Sequence, residues 1–352
     1  MSLRTILFIS VVFIVLLSCG DNSSDSANSR NNDPAFEDDF EILKNKNENI
    51  PIKTKEFYKY LVRGHKKKEN GDYKGAIDDF NLAIKLKPKL SNLYDARGTA
   101  KYYKGDYDGA ILDYNQSINL NSKNPLSYYN RGLAENCLQK YSESIKDFNK
   151  AIELKPNYFD AFKNRGLAKS DSGDINGSIA DFSKLIEISP KYPGPYNNRG
   201  IAYSINKDYK SAIIDFSKAH KIDWKNPNIL INRGLAYRSL KKQKEALEDF
   251  KQATVLGPDM ASGFHYFSDT LINSTASKAK MVIALKNSLK ANQLSYFKNI
   301  YYLETLSWAY EKNNHIKESI DILKKVISLT PDDQPNKKRF IKRLKHLNTI
   351  KN

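Results

Sequence analysis

The chain has 352 residues, 40% of them apolar, so it can bury a core and is not a wholly disordered protein. Its 57 lysines and arginines outnumber its 40 acidic residues, and the formal charge of +17 favours anionic partners such as phospholipid, nucleic acid or acidic proteins. The position of these charges along the chain decides which of those partners is relevant.

Residues 1–18 form a predicted signal peptide. One cation, Arg4, precedes a largely apolar run from Ile6 to Leu17. A run of about a dozen residues is short for a bilayer core of about 30 Å, and this length is typical of a secretory leader. The sequence LLSC, which ends at Cys19, resembles the lipobox of bacterial lipoproteins. The resemblance implies cleavage before Cys19 and acylation there, with palmitate as a typical chain. The alternative is a plain secreted or singly anchored protein.

Residues 19–52 are predicted to be a flexible acidic tether. From Gly20 onward they hold eight acids against three bases, and this polar composition buries too little apolar surface to offset the ordering entropy. A coil of this length has a root-mean-square reach of about 30 Å. The lipoprotein resemblance therefore implies an exported protein that is attached to a bacterial membrane through Cys19. Gly20 stands where an aspartate retains some lipoproteins in the inner membrane, which favours the outer membrane.

Residues 53–258 repeat with a period of 34 residues. A glycine recurs six times at this interval, followed by a small residue twelve positions later and an aromatic ring sixteen positions later, as in Gly200, Ala212 and Phe216. In that unit two segments of helical pattern flank a short turn near Asn206, and a short turn makes two helices antiparallel neighbours. Because Gly200 and Phe216 lie equally far from the turn, the ring is predicted to fill the space beside the glycine.

Prolines also close four of the units, at Pro88, Pro156, Pro190 and Pro258. The period and these small, aromatic and proline positions resemble the tetratricopeptide repeat, a helix-turn-helix unit. The resemblance implies an all-α fold, a right-handed superhelical solenoid of stacked helix pairs. Two degenerate units are predicted over residues 259–331, which gives eight units. Residues 332–352 are predicted to form a basic capping helix, with Phe340, Leu344 and Leu347 on one apolar stripe.

An arginine and an aspartate also keep the 34-residue interval, and we predict that they form a structural ladder. Arg199 and Asp215 each lie about 12 Å from the turn, so they are level across the helix pair. A cation and an anion that recur together at matching heights are better explained by mutual pairing than by a ligand. The ladder comprises Arg63, Asp79, Arg97, Asp113, Arg131, Asp147, Arg165, Asp181, Arg199, Asp215, Arg233 and Asp249.

The family resemblance also implies a concave groove, lined by the first helix of each unit, that binds a protein or peptide. The usual contact positions of the family, carried over one by one, include Tyr58, Leu61, Tyr102, Tyr129, Lys163, Asn197, Ile231 and Arg238. For each of them, packing of unit on unit is the open alternative. The clamp for a terminal carboxylate found in one subset of the family is not matched, because Leu167 follows Lys163 where an asparagine is required. An extended peptide or a partner's helix fits better.

The basic residues concentrate toward the C-terminus, where residues 278–352 hold sixteen bases and six acids. Two interpretations stay open for the densest part, residues 336–347. It is a solvated capping helix, or it contacts anionic lipid or an acidic partner. Nucleic acid is not an expected partner, because the leader predicts export.

Motifs for catalysis, cofactors and metals are missing from the sequence. It contains no GxSxG, no glycine-rich phosphate loop and no HExxH, and its five histidines are scattered without metal-ligand spacing. The predicted function is a non-catalytic protein–protein interaction scaffold or adaptor in the bacterial cell envelope, without cofactor or metal. The alternatives are a carbohydrate-handling or enzymatic envelope protein of unrecognised type, or a secreted repeat protein that is not lipidated.

Overall fold

The computed structural model describes residues 51–274 and 277–351, which form seventeen α-helices and no strand. The chain divides after Ile188 into two compact units. The first unit contains α1 Ile52–Glu69, α2 Tyr73–Leu86, α3 Ser91–Lys104, α4 Tyr107–Leu120, α5 Pro125–Cys137, α6 Tyr141–Leu154, α7 Phe159–Asp171 and α8 Ile175–Ile188. The second contains α9 Pro193–Ile205, α10 Tyr209–Ile222, α11 Pro227–Ser239, α12 Gln243–Leu256, α13 Ala261–Ile272, α14 Lys278–Leu294, α15 Ile300–Lys312, α16 Ile316–Leu329 and α17 Asn336–Lys351.

The helices pack as pairs, each made of an odd-numbered first helix and the even-numbered second helix that follows it. Within each unit the second helix of one pair also packs against the first helix of the next pair. The first unit therefore stacks four pairs, and the second stacks four pairs and ends in α17. The all-α prediction with helix-turn-helix repeats is confirmed.

The recurring glycine lets an aromatic ring approach the backbone of the first helix. A Cβ atom built on Gly200 would lie 2.7 Å from Cε1 of Phe216, closer than real Cβ contacts allow. The same contact joins Gly64 to Phe80, Gly98 to Tyr114, Gly132 to Phe148, Gly166 to Phe182 and Gly234 to Phe250. In the seventh pair the larger residue is on the first helix: Ser268 stands at the glycine position and Ala284 at the aromatic position. The hydroxyl of Ser268 donates to the carbonyl oxygen of Ala284 at 2.8 Å.

In the first, second, fourth and fifth pairs, the turn combines a left-handed residue with a side-chain cap on the second helix. Gly105 has a φ of 87°, and the next residue, Asp106, accepts a hydrogen bond from the amide of Gly109 at 3.0 Å. In the fifth pair Lys207 holds the left-handed position at a φ of 63°, a conformation that costs a residue with a side chain more than it costs glycine. The first helix ends just before this left-handed residue, and the cap starts the second helix.

Helix α17 closes the last pair of the second unit. Phe340 and Leu347 are buried in one cluster with Leu303, Leu323 and Val326, and Leu344 packs against that cluster while partly buried. The apolar stripe therefore covers α15 and α16 and leaves the polar face of α17 outward, which is the arrangement that a solenoid end requires.

Candidate functional site

Each of the first six helix pairs holds an arginine–aspartate ion pair between its two helices. In the third pair, Nε and Nη2 of Arg131 donate to Oδ2 and Oδ1 of Asp147 at 2.6 and 2.7 Å. The six aspartates are only 1–5% exposed, so these bonds are shielded from water. The same two bonds join Arg63 to Asp79, Arg97 to Asp113, Arg165 to Asp181, Arg199 to Asp215 and Arg233 to Asp249.

In the second, third, fourth and sixth pairs the remaining arginine nitrogen, Nη1, links the helix pair to the pair before it. Its acceptor lies on the preceding second helix, directly after the aromatic ring of that helix. The bonded residues are Arg97 with Asn81 at 2.6 Å, Arg131 with Asn115 at 2.6 Å, Arg165 with Asn149 at 2.7 Å and Arg233 with Ser217 at 3.2 Å. This contact was not predicted, although asparagine recurs at the 34-residue interval at positions 81, 115 and 149.

A lysine one turn after the arginine adds a second cation in three pairs. Nζ of Lys67, Lys101 and Lys169 lies 2.9–3.0 Å from the aspartate of the same pair. Burial opposes ionisation of Asp79, but the hydrogen bonds from Arg63 and Lys67 outweigh it and lower the pKa of that carboxyl group. In these three pairs two cations therefore share one buried carboxylate.

In the third pair Glu135 replaces this lysine. Its side chain is 9% exposed and lies beside Asp147, which already binds Arg131. Burial and, next, the charge of Asp147 raise the pKa of Glu135 to about 7. Glu135 was not predicted as a site residue. The available signal was an acid that interrupts the lysines at this repeat position.

A buried carboxylate joins the second and third pairs. Oδ2 of Asp95 accepts hydrogen bonds from the hydroxyls of Ser117 and Ser127, both at 2.8 Å, and from Nδ2 of Asn124 at 3.0 Å. Burial raises the pKa of Asp95 to about 6, although the three donors favour the ionised form. Asp95 is therefore an internal connection of the first unit.

Four of the predicted groove residues are engaged in packing. Leu61 and Ile231 are 4 and 5% exposed, which favours the alternative left open for these positions, packing in the core of their units. The hydroxyl of Tyr129 accepts from Nδ2 of Asn164 at 3.0 Å, and Oδ1 of Asn197 accepts from Nδ2 of Asn232 at 3.1 Å. Each of these bonds ties one first helix to the next.

The other four predicted groove residues are half-buried and keep accessible surface. Tyr58 packs edge-on against Phe57 at 5.1 Å. Burial raises the pKa of Tyr102 to about 12. Nζ of Lys163 lies 3.6 Å from Oδ1 of Asp160 and its side chain is 24% exposed.

In the second unit, Nη1 of Arg238 donates to Oδ2 of Asp269 at 2.8 Å, and the side chain of Arg238 is 25% exposed. The structure thus leaves Tyr58, Tyr102 and Lys163 accessible in the first unit, and Arg238 in the second.

On α17, part of the basic charge is used within the second unit. Arg339 donates to Glu304 at 2.8 Å, and Arg343 donates to Glu311 at 2.6 Å while its guanidinium carbon lies 3.4 Å from the ring centroid of Trp308. Over residues 336–350, the exposed cations of this helix are Lys338, Lys342 and Lys345, together with the exposed part of Arg339.

The predicted lipidation site, Cys19, lies outside the described residues, as do the predicted signal peptide and nearly all of the predicted tether. Within residues 51–274 and 277–351, no helix combines the length and apolar character that a membrane span requires. The same part of the chain contains no group of three or more histidine, cysteine, aspartate or glutamate side chains arranged to hold a metal ion.

The stacked helical hairpins and their internal ion pairs define the class, an all-helical repeat protein. Its helix-turn-helix repeats are of the tetratricopeptide type. Family models described as tetratricopeptide repeat match residues 125–158 and residues 60–90, 227–256 and 300–333, and a model described as TPR repeat matches residues 98–135. Proteins with these repeats generally act in protein–protein interaction and as non-catalytic scaffolds. No curated protein matches the chain significantly in sequence.

Solved structures share the fold at low sequence identity. A tetratricopeptide repeat protein from Parabacteroides merdae is 17% identical, with a TM-score of 0.56 over 72% of this chain and 99% of its own. The pilF protein of Pseudomonas aeruginosa is 15% identical, with a TM-score of 0.50 over 60% of this chain and 96% of its own. A chain of the APC/C hetero-tetramer Cut9–Hcn1 is 13% identical, with a TM-score of 0.53 over 81% of this chain and 55% of its own.

Proposed function

We propose that this protein is a non-catalytic docking scaffold of the bacterial envelope, whose first helices bind a segment of another protein. The support is a contrast on those helices. The ladder arginine is the same in six pairs, whereas the position five residues later carries Lys68, Tyr102, Asn136, Ser170, Ser204 and Arg238, all half-buried. A residue that is the same in every pair stabilises the stack of helix pairs. An accessible residue that differs from pair to pair gives each pair its own contact with a partner.

The mechanism is preorganisation. The ion pairs and the aromatic rings fix the first helices before a partner arrives, so the scaffold contributes no ordering cost of its own to binding. A tyrosine such as Tyr102 offers a large amphipathic surface with few rotatable bonds, which suits a contact residue.

A photo-crosslinking amino acid at position 102, introduced into the full chain in the native cell, tests the scaffold. We expect one crosslinked protein partner at position 102. The same amino acid at position 112 is the control, because Leu112 is 68% exposed on the second helix of the same pair. Equal crosslinking at both positions, or a sugar or nucleotide bound in place of a protein, would contradict the proposal.

We further propose that the scaffold is exported and anchored to a membrane through acylated Cys19, with the outer membrane as its address. The support is the leader and the LLSC sequence that it ends on. The full-length Cys19→Ala variant is expected to leave the membrane fraction and to lose metabolic labelling with palmitate, whereas Cys137→Ala is expected to change neither. Unchanged membrane retention and labelling of the Cys19→Ala variant would exclude the lipid anchor.

A contact of α17 with an anionic surface is a second proposal. Its support is an exposed strip of Lys338, Lys342 and Lys345, spaced four and three residues apart on one helix face. Replacing these three lysines by serine is expected to weaken binding to vesicles that contain phosphatidylglycerol. The matched control replaces the exposed Lys218, Lys221 and Lys225. An equal effect of both variants would show that vesicle binding depends on net charge alone and not on this strip of α17.

A further inference from the structure

One face of α1 carries cations where the later first helices are apolar. Lys59 and Lys66 are exposed, whereas Leu93 and Ala100, which stand 34 residues later, are completely buried in a cluster with Phe80 of the preceding pair. The residues equivalent to Lys66 in the next four pairs are also buried alanines: Ala134, Ala168, Ala202 and Ala236. These cations therefore occupy the face that a preceding second helix covers elsewhere.

Arg63 lies between those two lysines and differs from the other ladder arginines. Its side chain is 44% exposed, whereas those of Arg97, Arg131 and Arg165 in the same unit are 14–22% exposed. Arg63 binds Asp79, but no acceptor among the described residues takes the bond that Nη1 of the other three makes to an asparagine. We call Lys59, Arg63 and Lys66 the basic strip of α1.

A sequence of opposite charge precedes α1. Residues 36–43, FEDDFEIL, contain four acids within five positions, while residues 52–69 hold seven lysines and arginines against two acids. The order Asp39-Phe40-Glu41 also matches the order Asp79-Phe80-Asn81 on α2, where the third residue is the acceptor for Nη1. Glu41 thus has the acceptor's place in this three-residue order, six residues before position 47, where the 34-residue register would put it.

We propose that residues 36–43 dock on the basic strip of α1 in the same chain. The four carboxylates pair with Lys59, Arg63 and Lys66, Glu41 accepts from Nη1 of Arg63, and Phe40 covers Val62. This contact caps the first unit and fixes part of the segment that composition predicts to be a tether.

The chain is long enough for this contact. The eight residues 44–51 span up to about 26 Å when extended, at about 3.3 Å per residue. The basic strip ends at Lys66, about 21 Å along the axis from the start of α1. A segment attached so close has a high effective concentration, which favours it over an acidic segment from another molecule.

Hydrogen–deuterium exchange of the full chain tests the docking. The docking variant replaces the four acids of the segment by their amides: Glu37→Gln, Asp38→Asn, Asp39→Asn and Glu41→Gln. The control variant makes the same change of charge elsewhere in residues 20–52: Asp21→Asn, Asp25→Asn, Asp33→Asn and Glu48→Gln. We expect severalfold faster exchange within residues 52–69 in the docking variant and unchanged exchange in the control. No change in the docking variant, or an equal change in both, would overturn the proposal.

Carbodiimide crosslinking identifies which molecule provides the segment that binds the basic strip of α1. In an equimolar mixture of ¹⁴N- and ¹⁵N-labelled full-length protein, we expect amide crosslinks from residues 37–41 to Lys59 or Lys66 that join peptides of one label only. Crosslinks that join the two labels would show that a second copy provides the segment, and absence of these crosslinks would mean that the strip serves another partner. Either result rejects docking within the chain and leaves the proposed scaffold function untouched.

Discussion

Arg131 and Asn115 belong to neighbouring helix pairs, and their side chains lie 2.6 Å apart, from Nη1 of the arginine to Oδ1 of the asparagine. The same guanidinium holds both carboxylate oxygens of Asp147 within its own pair. One planar cation with five donors therefore connects three helices, a geometry that lysine cannot reproduce. The stack is held by charged groups as well as by its apolar core.

Asp249→Ala is expected to destabilise the second unit by about 2–4 kcal/mol, because it leaves Arg233 without its buried partner. The estimate lies below the range for a fully buried pair, since the side chain of Arg233 is 16% exposed. Urea unfolding followed by circular dichroism measures the loss. Glu248→Ala is the control, because that neighbouring acid is exposed; its effect is expected to stay within about 0.5 kcal/mol. Equal effects would argue against the ion pair as a source of stability.

Asn115→Ala is expected to cost about 0.5–1.5 kcal/mol, the net value of one hydrogen bond, because Nη1 of Arg131 is then left to water. The loss is expected in the coupling between the second and third pairs, which native-state hydrogen exchange of α4 and α5 resolves. Asn119→Ala, an exposed position on the same helix, is the matched control. Faster exchange in the control variant alone would contradict the link.

Gly200→Ala and Gly263→Ala are expected to act in opposite directions. The new methyl group at position 200 would lie 2.7 Å from Phe216, and such overpacking typically costs about 1–3 kcal/mol. At position 263 the nearest atoms are 3.6 Å away, so the greater helix propensity of alanine is expected to stabilise by about 0.5–1 kcal/mol. The urea midpoints of both variants check the contrast. A stabilised Gly200→Ala variant would show that Phe216 does not require the space beside residue 200.

The stability of the protein relative to its Glu135→Gln variant is expected to fall as pH rises from about 4.5 to about 7. The pKa of Glu135 is raised in the folded state, so the folded chain still holds a proton that the unfolded chain has released. Glutamine carries no such proton and mimics the neutral acid at every pH. The difference in Tm between the two proteins across this interval measures the effect. Glu143→Gln, at an exposed position on α6, serves as control. Parallel pH profiles of the two proteins would contradict the raised pKa.

The 34-residue period was enough to predict helix pairs, because a helix rises by a constant amount per residue and a fixed spacing becomes a fixed height. That geometry paired Gly200 with Phe216 and placed Arg199 level with Asp215, and both contacts are present. The acceptor for Nη1 of the ladder arginines was not predicted, because this contact depends on how closely one helix pair stacks on the next.

The repeat, the all-helical fold and the residues that face each other within a pair could be predicted from the sequence, since these follow from local periodicity. The burial of Leu61 and Ile231 and the raised pKa of Glu135 depend on tertiary packing. Burial and charge at a position are summed over every helix that surrounds it, and residues from neighbouring pairs contribute to that sum. The pattern of one helix does not contain this information.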